Sequence, residues 1–349
     1  MSNPEAWVRP HIKTLAPYTA ARDLYGSGQR VFLDANENPY SIATDEIAGA
    51  LNRYPDPRSS ELRDALAKRL GVEADRLWIG NGSDEALDLI VRVFVDPGSA
   101  VAICTPTYAM YEIAARANAV QVREAPLDAG FDLDVPATLA AAAGAKIIFL
   151  CSPNNPTGNC LSRDRIEEVA VAFDGLLVVD EAYAEFSRSE PLTELVRNHR
   201  NVLLLRTFSK AWGLAGARVG YFVADPLVVD FIDRINLPYP LSAPSQAAAR
   251  QALARADGFQ ERIAAILSER ERLASRLTDL GLEVFPSDAN FLLVRVTNAR
   301  EVYRRLAEEY QVVVRDRSSV PRLTDCLRIT VGRPDETDRL CSALEEILR

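Results

Sequence analysis

Leu176-Leu177-Val178-Val179-Asp180-Glu181-Ala182-Tyr183 puts four apolar residues directly before two carboxylates and a phenol. A short apolar run of this kind reads as a strand buried on both faces, and the polar residues mark where it leaves the sheet. The pattern recurs on either side. Lys146–Leu150 runs into Cys151-Ser152-Pro153-Asn154-Asn155-Pro156-Thr157-Gly158, and Val202–Arg206 into Thr207-Phe208-Ser209-Lys210, with Arg218 eight residues on. Val101–Cys104 and Val219–Val223 are further strand candidates. Residues 83–95, 107–117 and 163–173 read as helices between them. Short apolar runs separated by helices predict a mostly parallel sheet covered on both faces, the signature of an α/β fold.

The texture changes after Pro238-Tyr239-Pro240. Residues 244–280 read as one long helical region rich in Ala, Arg, Glu and Leu. Strand-like and helical stretches then alternate at wider spacing: 289–296, 299–310, 312–315, 326–331, and a last helix from 335. This predicts a smaller α+β unit. The chain is therefore expected to divide into an N-terminal arm over 1–30, a large domain over 31–240 and a small C-terminal domain over 241–349. No repeat of 20 to 50 residues and no low-complexity linker interrupts it.

The 349 residues are 48% apolar and 26% charged, enough to bury a substantial core without disulfides or metal. Lys plus Arg number 40 against 49 Asp plus Glu, a formal net charge of -9. That balance argues against nucleic acid or an anionic membrane as partner, since both need a basic face. The apolar runs are too short to span a bilayer. The opening residues, with Pro4, Glu5, Trp7 and Arg9, lack the apolar stretch of a signal peptide, so a cytoplasmic location is expected. Five cysteines without a CxxC pair are expected to be reduced thiols. Only His11 and His199 are present. No metal site is expected, and proton transfer must fall to Lys, Asp, Glu or Tyr.

In open α/β sheets ligands bind beyond the carboxyl ends of the strands. Three neighbouring strand ends here would present an amide, a carboxylate, a phenol, a hydroxyl, an amine and a guanidinium. Taken singly, Ser152–Gly158 could be only a turn, Asp180 only a helix cap and Lys210 only a solvated side chain. The coincidence at consecutive strand ends is harder to explain so. Gly80-Asn81-Gly82-Ser83-Asp84-Glu85 begins like a dinucleotide fingerprint, but Glu85 stands where the third glycine belongs, which excludes that reading. Free N–H groups at the helix start, with Ser83 as the expected cap, still make an anion site, to which Ser209 and Arg218 could add donors. One carboxylate, one lysine and a phosphate cradle suit pyridoxal phosphate. Its aldehyde forms a Schiff base with a lysine, and an acidic partner keeps its ring nitrogen protonated.

Ser152–Gly158, Asp180–Tyr183 and Ser209-Lys210-Ala211-Trp212-Gly213-Leu214-Ala215-Gly216 resemble the fold-type-I aminotransferases. Leu33-Asp34-Ala35-Asn36-Glu37-Asn38-Pro39, Arg53-Tyr54-Pro55-Asp56-Pro57 and Cys326-Leu327-Arg328-Ile329-Thr330-Val331-Gly332 resemble one branch of them, the histidinol-phosphate aminotransferases. The likeness covers nearly the whole chain. It implies the fold-type-I architecture, a large domain with a mostly parallel sheet plus a smaller α+β domain. It also implies roles position by position. Lys210 matches the Schiff-base lysine and Asp180 the partner of the ring nitrogen. Asn155 and Tyr183 match the pair on the ring hydroxyl, and Tyr108 the ring that stacks on the cofactor. Ser83, Asp84, Ser209 and Arg218 match the phosphate cradle, which Tyr54 joins from the partner subunit of a homodimer. Arg328, with Arg315 as helper, matches the group that binds the substrate anion. Tyr18 matches a further substrate contact, although the surrounding arm departs from the family's usual pattern.

The resemblance implies a transaminase that interconverts histidinol phosphate plus 2-oxoglutarate and imidazole acetol phosphate plus glutamate, in histidine biosynthesis. Its partners would be these small molecules and a second copy of the chain. Relatives acting on aromatic amino acids, or decarboxylating threonine phosphate, share parts of these motifs and remain alternatives. Regulators built on such a domain carry an added DNA-binding module, and this chain has neither the extra length nor the basic stretch for one.

Overall fold

The computed structural model describes residues 31–34, 36–40, 54–255 and 257–349. Its centre is a seven-stranded sheet built from β2 (Leu77–Gly80), β3 (Ala100–Thr105), β4 (Gln121–Pro126), β5 (Ile147–Cys151), β6 (Leu176–Asp180), β7 (Val202–Thr207) and β8 (Gly220–Val223). The strand order is β2-β8-β7-β6-β5-β3-β4. Only β8 runs against the rest: its pairs with β2 and β7 are antiparallel, and every other pair is parallel.

Alternation along these strands explains why they had to be apolar throughout. Ile148, Leu150, Leu177, Val179 and Leu204 point into one core, while Ile147, Phe149, Val178, Leu203 and Leu205 point into the other. A strand buried on both faces has no polar side, so the period of two disappears from the sequence. Edge strand β4 shows the converse. Gln121, Arg123, Glu124 and Pro126 are exposed, and no apolar run announces it.

A second, four-stranded sheet has the order β12-β13-β10-β9, from Arg315–Asp316, Cys326–Thr330, Phe291–Arg295 and Glu283–Val284. A separate pair joins β1 (Val31–Phe32) in parallel to β11 (Val312–Val313). The single strand expected over 312–315 is thus two short ones in different sheets. The long helical region expected over 244–280 is likewise two helices, Ala243–Ala254 and Asp257–Asp279. Asp257-Gly258 is a sequence that leaves a helix easily and suits the start of the next. The expected helix 107–117 begins only at Met110. No described helix is long and apolar enough to cross a membrane.

One buried ion pair fixes the chain where β6 ends. Glu181 and Arg206 are 3% and 7% exposed. Glu181 Oε2 accepts from Arg206 Nε at 2.9 Å and Nη2 at 2.7 Å, and its Oε1 accepts from Leu192 N–H at 3.1 Å. The pair holds the segment after Asp180 against the sheet. Glu181→Gln removes the carboxylate bonded to a buried guanidinium, leaving it only the charge of Glu185, and should destabilise the protein by up to roughly 3–5 kcal/mol. Urea unfolding followed by far-UV circular dichroism tests this, and a midpoint that hardly moves would mean the pair contributes little.

Candidate active site

Parallel register brings the three polar strand ends together. Cys151 pairs with Asp180, and Asp180 with Leu205, so the segments 152–158, 181–183 and 207–210 leave the sheet side by side. They wall a cavity of about 190 Å³ closed from the other side by Arg315 and Arg328 of the second sheet and by Arg317, which follows the strand of Arg315. Of the positions singled out in the sequence, Ser83, Asp84, Tyr108, Asn155, Asp180, Tyr183, Ser209, Lys210, Arg218, Arg315 and Arg328 all line it. Tyr54 does not: it is 80% exposed and stacks on Tyr239 with ring centroids 4.3 Å apart. Tyr18 lies outside the described residues.

Asp180 is 3% exposed. Its Oδ2 accepts from Tyr111 Oη at 2.8 Å and its Oδ1 from Ala182 N–H at 3.0 Å. Burial raises its pKa to about 6, against the pull of these two bonds. Tyr111 is fully buried, stacked on Phe149 and edge-on to Tyr108. Burial and the neighbouring Asp180 hold its phenol well above the ordinary value, so it stays a donor. Lys210 is affected in the opposite sense. Burial, then the charge of Arg328, lowers its pKa to about 8, and its Nζ lies 5.9 Å from the Tyr183 ring centroid.

A polar network forms the opposite wall. Tyr183 Oη accepts from Asn36 Nδ2 at 3.1 Å and Asn155 Nδ2 at 3.3 Å. Arg328 Nη1 donates to Asn155 Oδ1 at 2.7 Å, and Nη2 donates to Asp34 O. Asn36 N–H donates to Thr330 Oγ1 at 2.9 Å, and Asn290 Nδ2 to Asn36 O at 2.9 Å. The strand that carries Arg328 is thereby tied to the segment 33–36.

The helix Ser83–Phe94 points its N-terminus at the cavity. Its cap is Gly82 at φ 90°, not Ser83, which is the first helical residue and makes no capping bond. A side chain at Gly82 would sit 2.5 Å from Arg218 Nη2, and one at Gly220 would sit 2.3 Å from the Gly82 carbonyl carbon. The glycines let this loop lie directly on β8, with Arg218 over it. Arg218 Nη1 donates to Ser209 Oγ at 3.3 Å, and Nη2 is 3.6 Å from Asp84 Oδ2. Asp84 Oδ1 accepts from Tyr108 Oη at 3.2 Å.

These residues fit pyridoxal phosphate. An amine, a buried carboxylate, an amide–phenol pair, an aromatic ring and an anion cradle surround one cavity, brought there by several neighbouring strand ends and loops. Asn36, Tyr111 and Arg317 were not predicted as site residues. Tyr111 lies in the first turn of the helix that follows Tyr108, and Arg317 lies one residue past the strand that carries Arg315, so each is close in sequence to a residue already singled out. Asn36 stood inside a quoted motif, but its partners lie 147 and 294 residues away.

A model of the aminotransferase class I and II family matches residues 27–344. The histidinol-phosphate aminotransferases of Cytophaga hutchinsonii and Parabacteroides distasonis are each 42% identical, over 97% of this chain and 97% of theirs. The crystal structure of histidinol-phosphate aminotransferase from Sinorhizobium meliloti in complex with pyridoxal-5'-phosphate superimposes with a TM-score of 0.92. It is 31% identical, over 98% of this chain and 97% of that one.

The two shifted groups both work against stability near neutral pH. A carboxyl raised to about 6 contributes stability below pH 4 that is lost as pH rises through 6. An amine lowered to about 8 contributes stability above its unfolded pKa that is lost as pH falls through 8. Asp180→Asn should therefore stabilise the cofactor-free protein at pH 8, by on the order of 3 kcal/mol, with the gain vanishing towards pH 4. Thermal melts across pH 4–8 measure it; a loss of stability that is the same at both ends would contradict it.

Proposed function

Given that the chain belongs to the class I and II aminotransferases, we propose that it carries out histidinol-phosphate transamination with pyridoxal phosphate. It would exchange an amino group between glutamate and imidazole acetol phosphate, in histidine biosynthesis. The carrying observation is the cavity in which Lys210 and Asp180 face a cross-strand pair of arginines, Arg315 and Arg328. Full-length likeness to the relatives that bear that enzyme's name supports the choice of substrate.

When bound, the cofactor supplies an aldehyde that carries the amino group and a ring that withdraws electrons from the substrate Cα. Lys210 would hold the cofactor, and its Nζ would move a proton at that Cα. A pKa near 8 suits this, because both protonation states are accessible at working pH. Asp180 holds the proton on the ring nitrogen, and Tyr111 keeps its carboxylate oriented. Asn155 and Tyr183 bind the ring hydroxyl. Tyr108 covers the ring face. Ser83, Ser209 and Arg218 hold the phosphate at the helix N-terminus, while Asp84 acts through its bonds to Tyr108 and Arg218. Arg328 binds the substrate's anionic group in both half-reactions, since a guanidinium forks onto carboxylate or phosphate oxygens alike. Arg315 supports it.

We also infer a cytoplasmic homodimer, each subunit divided at about residue 240 into a large and a small domain. Tyr54, Leu237 and Tyr239 are 80%, 66% and 45% exposed, an unusual display of apolar surface that suits burial against a second copy. Tyr54 would then reach the partner's cofactor phosphate.

A panel of amino donors with 2-oxoglutarate tests the reading. Histidinol phosphate should give the highest kcat/KM, and Lys210→Ala should lose the visible cofactor band and roughly 10²–10⁴-fold in turnover. Phenylalanine as the better donor would make the protein an aromatic aminotransferase; carbon dioxide release from threonine phosphate would make it a decarboxylase.

The shared site is tested by mixing Tyr54→Phe and Lys210→Ala subunits, each impaired alone. A mixed dimer has one site with both residues intact, so activity should partly return. No recovery despite proven subunit exchange would put Tyr54 in its own subunit's site or outside both.

A further inference from the structure

Arg315 and Arg328 lie directly opposite each other in the antiparallel pair β12–β13. Arg317 lies one residue beyond β12 and borders the same cavity as Arg315. Its backbone extends the ladder: Arg317 N–H donates to Cys326 O at 2.9 Å, and a turn closes behind it with Val320 N–H donating to Arg317 O at 2.9 Å. These two backbone bonds fix the main chain at Arg317, where it leaves the sheet for the turn. All three arginines border the cavity that holds Lys210 and Asp180.

Like charges placed opposite one another on paired strands destabilise the pair. A face that gathers three is arranged for an anion, and the number matters. A carboxylate carries one charge and two oxygens, which a single forked guanidinium satisfies. A phosphate monoester carries about −1.5 to −2 charges near pH 7 and three outer oxygens. Arg328 is already committed to Asn155 and to the Asp34 carbonyl at the inner wall. Arg317 stands elsewhere. It borders both this cavity and a neighbouring one of about 380 Å³, as does Tyr108. It thus stands on the border where the two cavities meet, apart from the inner wall that Arg328 holds.

We propose that Arg317 is a specificity-determining residue: it joins Arg328 on the phosphate of the phosphorylated substrate, whereas Arg328 holds the α-carboxylate of glutamate without it. The proposal rests on the phosphorylated-substrate reading given above. Arg317→Gln keeps the length and polarity of the side chain and removes its charge. In the pyridoxal-phosphate-loaded protein, half-reaction titrations give an apparent Kd for histidinol phosphate, histidinol and glutamate. The first should rise about ten- to hundredfold, the loss expected for one charge-assisted hydrogen bond, and the others by less than about threefold. The melting temperature without substrate should change little. Equal weakening of all three ligands, or a fall in melting temperature without selectivity, would make Arg317 a structural residue and overturn the proposal. An unchanged Kd for histidinol phosphate, in a protein whose parent prefers it to histidinol, overturns the role of Arg317 alone. A parent that shows no such preference removes the substrate reading and this inference together.

Discussion

A carboxylate with 3% of its surface exposed, at the end of a strand whose neighbours are apolar on both faces, is the constraint around which this molecule is built. Asp180 cannot reach water, so its charge must be met by fixed donors. Tyr111 and the Ala182 N–H supply two of them, and the stacked pair Tyr111–Phe149 carries that requirement into the core. Glu181, the next residue, turns the other way to Arg206 and pins the chain just past the site. Two consecutive acids thus divide the work, one exposing a charge to the cavity and one fixing the backbone that presents it.

The cavity concentrates cations against fewer acids: Lys210, Arg218, Arg315, Arg317 and Arg328 against Asp34, Asp84 and Asp180. In a protein whose net charge is -9, that local reversal of sign is a directed field, and it draws anions to one place. Groups buried in their less comfortable charge state reduce the stability of the fold, and the rest of the two cores has to offset them. This is the usual relation between preorganised chemistry and stability.

Much of this was legible in the sequence because the determinants are local. Asp180, Lys210 and Asn155 each follow an apolar run, and a buried strand can end in such residues only where something needs them. The parallel sheet was legible for the same reason. What escaped was set by distance or by exposure. β4 carries Arg123 and Glu124 on an open edge, so its composition resembles a loop. The split between Val312–Val313 and Arg315–Asp316 depends on which sheet each half finds, and nothing within those residues specifies it. The cap fell to Gly82 and not Ser83 because the loop must lie on Gly220, a tertiary demand that outweighs side-chain capping preference.

The pairing of Val31–Phe32 with Val312–Val313, and the bonds from Asp34 and Asn36 to Arg328 and Thr330, join residues that are 281 to 294 positions apart. A chain made from its N-terminus at about 5–20 residues per second exposes Asp34 and Asn36 for roughly 15–60 seconds before their partners exist. The seven-stranded sheet, which ends at Val223, has all its strands much earlier. The wall that carries Arg328 is accordingly the last part of the site to be assembled during synthesis. Until residues 315–328 have been made, the chain has the segments that carry Asp180 and Lys210 but not the three arginines on the facing wall.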